Sequence, residues 1–462
     1  MSKASMVSST GVDAYGINPA NFDYREPLQL TTKKTKKSPL SKPRWEMSFM
    51  SVGGSYGSDS SIDFYNDYIT YLSINRETFS GLFSDLNSVF KFRDSILPSE
   101  QTQVNYDFEV KWFSVNYSNM KIGAVNFSIT DKVGLNTNSY SRDQELPLTF
   151  FINIYGTKYD LTNVQLNQAE ATAWWIRKYS LGYAKQFDFG SKSFISSLSL
   201  GVSGGLVQGF GNVITNASTL YVNSYGVERN QITGINHVDS ITGKQDFHSI
   251  ASLTDFFMDY PDGAEAHFNL FPKPAGKGYS IDLGIALQLG SQWRIAASIT
   301  DIGKITWDYN TYINDDTNSF VYRNFNLHSS DPTYNIFVND LDGLDTRLTN
   351  VAYDTDMPTK FRAGIMYKHS DKIMFELDWV KGNNNLPGNS TDNIFSFGGE
   401  YFPLPYIPIR TGVTIGGPGD FYIGIGTGVR YNTFSFDIGT NGINQIFTNK
   451  RLSISLSTKL IL

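Results

Sequence analysis

The chain has no cysteine among its 462 residues. That excludes a disulfide scaffold, a thiolate-held zinc or iron–sulfur site, and a lipid anchor on an N-terminal cysteine. It also lacks a run of about 18 apolar residues, so it contains no transmembrane helix. Charge is sparse and balanced. Lys and Arg number 38 against 44 Asp and Glu, a formal net charge of −6, and charged residues make up only 18% of the chain. The clustered basic footprint of a nucleic-acid binder is absent, so nucleic acid is not an expected partner. Met1–Thr10 shows no apolar leader core, so the sequence reads as a mature chain. No Pro/Ser-rich hinge follows Arg44, although a soluble protein of this length would divide into domains of roughly 100–200 residues.

What is abundant is aromatic. Tyr, Phe and Trp number 27, 33 and 7, and glycine adds 40 more. The apolar residues alternate. Tyr279, Ile281, Leu283, Ile285, Leu287 and Leu289 occupy one face of a strand, with Ser280, Asp282, Gly284, Ala286 and Gln288 on the other. Gly290–Ser291 turns the chain into Trp293, Ile295, Ala297 and Ile299, completing a hairpin. The closing segment Leu452–Leu462 alternates in the same way. Alternation starts at Trp45–Tyr56, where the last strand is expected to pair with the first. It continues through Tyr106–Trp112, slips phase at Phe113 as a bulge would cause, and recurs at Val125–Ile129, Leu148–Ile154, Tyr179–Tyr183, Leu198–Val202 and in seven segments after 360. Short and long connections alternate, the long ones at 301–360 and 380–393. The expected fold is all-β: a transmembrane antiparallel β-barrel of about 14 strands of roughly 10 residues each, with aromatic girdles at both interfaces.

Two segments read as helices. Phe79, Leu82, Phe83, Leu86 and Phe90 recur at helical spacing within Arg76–Ile96, and Asn163–Arg177 forms the second. Residues 212–278 are polar and read as long loops. Residues 1–44 are irregular, with a basic run at Lys33, Lys34, Lys36 and Lys37, and stand apart from a barrel over 45–462.

The motif G-I-N-P-A-N at Gly16–Asn21 joins G-K-G-Y-S-I-D-L-G at 276–284, S-I-T-D-I-G-K-I-T-W at 298–307, K-G-N-N-N-L-P-G-N-S at 381–390 and P-I-R-T-G-V at 408–413. Together these resemble the FadL-like outer-membrane β-barrel superfamily, in an uncharacterised branch related to the PorV-type barrels of type IX secretion. The resemblance implies the cell outer membrane of a Gram-negative envelope. It also implies an N-terminal hatch entering the lumen, on which Asn18, Pro19 and Ala20 match. The terminal aromatic frequent in such barrels is replaced by Leu462.

Chemistry is thin. His237, His248, His267, His328 and His369 show no ligand spacing, and no serine elbow stands in the chain. Asp340, Asp342 and Asp345 miss the spacing of a calcium loop. Gly424, Gly426 and Gly428 lie in an alternating strand and read as curvature. No catalytic residue, metal or cofactor is therefore expected. Asp301 and Trp307 are candidates for a turn or for the lumen lining. The expected function is non-enzymatic: passing a hydrophobic small molecule, or serving as a barrel subunit of an envelope complex, with outer-membrane lipid, a hydrophobic ligand and envelope proteins as candidate partners. An outer-membrane enzyme or a soluble multi-domain β protein is the alternative.

Overall fold

The computed structural model describes residues 5–24, 43–58, 102–139, 164–190, 193–229, 236–254, 271–326, 330–333, 336, 347–348, 351–417, 421–431, 433–445 and 451–462. The chain order is β1 (Arg44–Ser58), β2 (Thr102–Asn119), β3 (Gly123–Ser139), β4 (Val164–Asp188), β5 (Ile195–Arg229), β6 (Asn236–Leu253), β7 (Gly276–Leu289), β8 (Trp293–Trp307), β9 (Thr311–Asn326), β10 (Arg347–Leu348) and β11 (Tyr353–Asp356). It continues with β12 (Lys360–Ser370), β13 (Ile373–Gly382), β14 (Ile394–Leu404), β15 (Ile407–Ile415), β16 (Phe421–Tyr431), β17 (Phe434–Asn441) and β18 (Arg451–Ile461).

Fourteen of these strands close a wall: β1 to β5, then β7, β8 and β12 to β18, each antiparallel to its neighbours. The last strand returns to the first as expected, with Glu46 opposite Ile461 and Gly57 opposite Arg451. Trp45 and Leu462 exchange backbone hydrogen bonds of 3.0 and 2.8 Å at this seam.

Which face is apolar follows from the surroundings rather than from a core. Along β7 the apolar series Tyr279–Leu289 points outward, with Leu283 46% exposed, while Asp282 between them faces inward at 2%. Leu200, Ile295, Leu377, Phe397 and Ile454 extend the outer apolar band around the wall. A band of this size would drive association in water, whereas hydrocarbon accommodates it. Aromatic pairs Trp45–Tyr117 and Trp293–Tyr367, with ring centroids 4.7 and 4.6 Å apart, stand near the end carrying the short turns 120–122, 290–292, 371–372 and 405–406.

The phase slip at Phe113 is a register shift between Lys111 and Phe113 against β3. A second slip, between Ile281 and Leu283 against β8, sits at Asp301, whose φ is +58°. It turns Asp301, Gly303, Ile305 and Trp307 inward after Arg294, Ala296, Ser298 and Thr300 have done so.

Three expectations are corrected. Asn163–Arg177 is not helical: β4 runs from Val164, paired with β3 on one side and β5 on the other. Ladder bonds to two neighbours override a helical propensity worth tenths of a kcal/mol per residue. Residues 212–278 are not mainly loop. β5 continues to Arg229 and pairs with β6, which pairs with β9, forming a blade beyond the wall. Polar residues recur all along these strands, so no apolar alternation marks them. The connection 301–360 likewise holds the end of β8, then β9, β10 and β11. The segment Arg76–Ile96, the strand Leu148–Ile154, the lysine run and the Asp340–Asp345 group lie outside the described residues.

Leu283→Arg, on the outer face of β7, should cost about 2–4 kcal/mol in urea unfolding from lipid vesicles, and Tyr279→Arg, nearer the membrane edge, about 0–1 kcal/mol.

Candidate functional site

Inward-facing side chains of a closed wall must be filled by one another, by water or by another segment. Here residues 5–24 occupy the lumen. Met6, Val7, Val12, Ala14, Asn18, Ala20, Asn21, Phe22 and Asp23 are all buried. Two one-turn 3-10 segments, Gly11–Ala14 and Pro19–Asp23, are its only helical content.

Asn18 caps the second of these. Its Oδ1 accepts from the Ala20 N–H at 3.0 Å, and its Nδ2 donates to the Ile285 carbonyl of β7 at 3.3 Å. Pro19 starts the turn with its fixed φ. Ala20 packs with Met6, Val7, Ala286, Ala296 and Met366. Room for this turn comes from glycines of the wall. A Cβ on Gly201 would run into the Pro19–Ala20 backbone, one on Gly284 into Asn18, and one on Gly182 into the Phe22 ring.

The wall holds the segment mostly by its backbone. Asp378 accepts the Ser5 and Met6 N–H groups at 2.7 and 2.8 Å, and Glu376, two residues earlier on β13, accepts those of Val7 and Ser8 at 2.5 and 3.3 Å. Ser9 N–H bonds the Ser5 carbonyl at 3.0 Å, so the two carboxylates receive the free N–H groups of a single turn. Arg294 donates to Asn21 Oδ1 at 2.8 Å beneath the Tyr24 ring. Ser298, Asn116 and Lys111 donate to the carbonyls of Ile17, Phe22 and Val12, and Asp23 accepts from the Gln186 N–H.

Asp13 meets Lys459 of β18 at 2.5 Å. Burial pushes its carboxyl up, but Lys459 and Lys111 outweigh burial and hold it below its ordinary value of 3.8. Below the segment, toward the short turns, lies a cavity of about 1390 Å³ bordered by Asp13, Lys111, Met374, Phe402, Arg430 and Lys459.

On the opposite side of the segment, Asp301 does not cap a turn. It sits mid-wall within β8 and faces the lumen, with Oδ1 on Lys178 at 2.7 Å and Oδ2 on Lys132 at 3.1 Å. Lys178 also reaches Asp282 at 3.1 Å, across Gly205, where a Cβ would meet the lysine's Cε. Tyr15 joins this network to the N-terminal segment: its hydroxyl is 3.0 Å from Ser180, and Lys178 lies 5.7 Å from its ring centre.

Trp307, six residues on, belongs to a separate group at the mouth on the long-loop side. Trp174, Ile176, Val207, Ala275, Ile305, Trp307 and Met357 form a buried apolar cluster inside the mouth. Trp307 Nε1 donates to Thr355 Oγ1 at 2.8 Å, and Gly209 and Gly276 leave space for its ring. The structure thus brings Asn18, Pro19 and Ala20 together against the wall and separates Asp301 from Trp307. Sequence reading missed Glu376, Asp378, Arg294, Lys178 and Asp282. For four of them the signal was present: Asp282, Arg294, Glu376 and Asp378 are charges at the inward phase between two apolar residues, whereas Lys178 follows the equally buried Arg177 and breaks that pattern.

A family model described as "Family of unknown function (DUF5723)" matches residues 57–455. No curated protein matches the sequence. Among solved structures, the Pseudomonas putida toluene transporter TodX is similar at 10% identity and a TM-score of 0.37, covering 98% of this chain and 94% of that one. The Ralstonia pickettii toluene transporter TbuX gives 9% and 0.36 over 91% and 88%. A Pseudomonas aeruginosa FadL homologue gives 10% and 0.36 over 100% and 97%.

Lys178→Met, which strands Asp282 and half of Asp301 in the lumen, should destabilise the barrel by about 3–5 kcal/mol in urea unfolding. The Asp13–Lys459 pair has the acid-side sign. Its contribution is complete above pH 3.8 and disappears as pH falls through the depressed value. The stability difference between wild type and Asp13→Asn should therefore be present at neutral pH and vanish in strong acid.

Proposed function

We propose that this chain, which belongs to the DUF5723 family of unknown function, is a non-enzymatic outer-membrane barrel that passes a small hydrophobic molecule past a movable N-terminal hatch. The observation that carries this reading is the manner in which residues 5–24 fill the lumen. Among the described residues they are held by discrete hydrogen bonds and by the Asp13–Lys459 ion pair rather than by shared sheet. Asn18, Pro19 and Ala20 are the hatch's contact with the glycine-lined wall.

A hydrophobic cargo is favoured by the cluster around Trp174 and Trp307, because a barrel that conducts hydrophilic solutes keeps its lumen polar and wet. A route from the cavity to lipid is offered at the β1–β18 seam. The register breaks between Met47 and Val52, Met50 takes a φ of +52°, and Ser51, Gly53, Ser455 and Ser457 border the cavity there.

A second reading, as a subunit of an envelope complex, rests on the blade. β5, β6 and β9 carry paired sheet well past the wall, further than a solute pore needs. Kinship with PorV-type barrels would fit that role. Stoichiometric partner chains in mild-detergent purification would favour it over a lone transporter.

The hatch is testable because the chain has no native thiol. Ala20→Cys with Ala286→Cys, two positions packed in one cluster, should form a disulfide that locks the hatch. Uptake of 1-N-phenylnaphthylamine by cells expressing this variant should fall to the level of cells lacking the protein, and return on reduction. Uptake indifferent to the lock would exclude passage by hatch movement.

A further inference from the structure

The loop between β13 and β14 does not extend away from the barrel. Residues 383–393 fold inward over the mouth. Asn384 Nδ2 donates to the Met357 carbonyl and Asn389 Nδ2 to the Thr359 carbonyl, both at 3.1 Å. On the opposite wall, Asn136 of β3 donates to the Asn385 carbonyl, and Gly134 leaves the space that Pro387 fills. The strap is braced within itself: Asn389 bonds Asn384 at 2.8 Å, Thr391 N–H bonds Asn385 at 2.9 Å, and Gly388 turns at a φ of +75°. In this stretch of Asn, Gly, Ser and Thr, one aliphatic side chain stands out. Leu386 lies half-buried against the cluster of Trp174, Trp307 and Met357, with Tyr309 and Tyr353 alongside.

We propose that this cluster is a binding site for a small neutral apolar or aromatic molecule, and that Leu386 occupies it at rest. The proposal deepens the transport reading of the same barrel and rests on it for its biological purpose, though not for its test.

The class of ligand follows from the lining. Two polar groups of the lining are committed to hydrogen bonds, Trp307 Nε1 to Thr355 and the Tyr353 hydroxyl to Asn212 at 2.9 Å, and the Lys273 ammonium lies over the face of Tyr309 at 3.4 Å. A solute that needs hydrogen bonds would have to break one of these two to be received by the rings, whereas an apolar one needs only to displace Leu386 and recover its buried contacts. The strap's anchors are single amide–carbonyl bonds, each worth about 1 kcal/mol net. That is weak enough to exchange when an apolar molecule takes the site. An aromatic ligand gains further from the indole and phenol rings.

The test uses the full chain with one introduced thiol, Asn383→Cys, whose side chain is exposed beside the strap's anchor. It carries a nitroxide, and bromobenzene is the probe, a heavy-atom quencher of indole emission. In this otherwise wild-type protein, bromobenzene should quench tryptophan emission and mobilise the label over the same concentration range. Trp307→Phe should remove most of that quenching. Adding Leu386→Ala should lower the half-saturating concentration about tenfold, the usual equivalent of 1.4 kcal/mol, with the label mobile from the start.

Quenching without label mobilisation, or no quenching at all, would overturn the assignment. So would a Leu386→Ala protein that behaves like wild type. A disulfide between Asn384→Cys and Met357→Cys separates this idea from the transport reading. If bromobenzene quenches the strap-locked protein as readily as its reduced form while cells still take up probe, Leu386 does not occupy the site and the inference fails while transport stands. If bromobenzene mobilises the strap and yet no uptake is seen with any variant, the site stands and the transport reading fails.

Discussion

A strand surrounded by hydrocarbon has nowhere to place its N–H and C=O groups except on another strand. In this chain that requirement is met by returning β18 to β1, and most of the remaining architecture follows from the closure. Once the wall is a ring, its outer face must be apolar and its inner face is left for everything else. The same alternation that would bury Leu283 in a soluble sandwich here exposes it, and it is Asp282 that is buried.

An inner face rich in charge is costly unless the charges pair or something is laid against them. Both solutions occur. Toward the long loops, Lys178 and Lys132 satisfy Asp282 and Asp301 directly. Lower on the wall, Glu376 and Asp378 find their donors in the backbone of residues 5–8. Glycines in the wall are the counterpart of this arrangement. Gly182, Gly201 and Gly284 look like weak points in their strands, yet each is a recess shaped for Phe22, Pro19–Ala20 or Asn18. Wall and N-terminal segment are thus matched by what the wall omits as well as by what it offers.

How much of this could be read from the sequence depends on where an element lies. The β7–β8 hairpin, the closing strand and the slip after Trp112 were legible because lipid on one side and polar lumen on the other write a period of two into the residues. The upper half of β4 and the blade of β5, β6 and β9 were not, because beyond the membrane that contrast fades and polar residues recur along the strands. Asn18, Pro19 and Ala20 stood out through the N-P-A element of the family resemblance, and by themselves the residues read only as a turn. Their wall partners could not be singled out, since Glu376 and Gly201 are far apart in sequence and are brought to them only by the register of the ring.

The central claim is that the lumen is closed by a segment that can leave while the wall stays intact. Hydrogen exchange on the protein in lipid bilayers tests it most directly. The amides of Ser5–Ser8 and Val12 should exchange through an opening of lower free energy than the amides of β7 and β13, so they should lose protection while the wall keeps it. Exchange of the hatch amides only in step with those of the wall strands would contradict the account and make residues 5–24 a permanent core of the barrel.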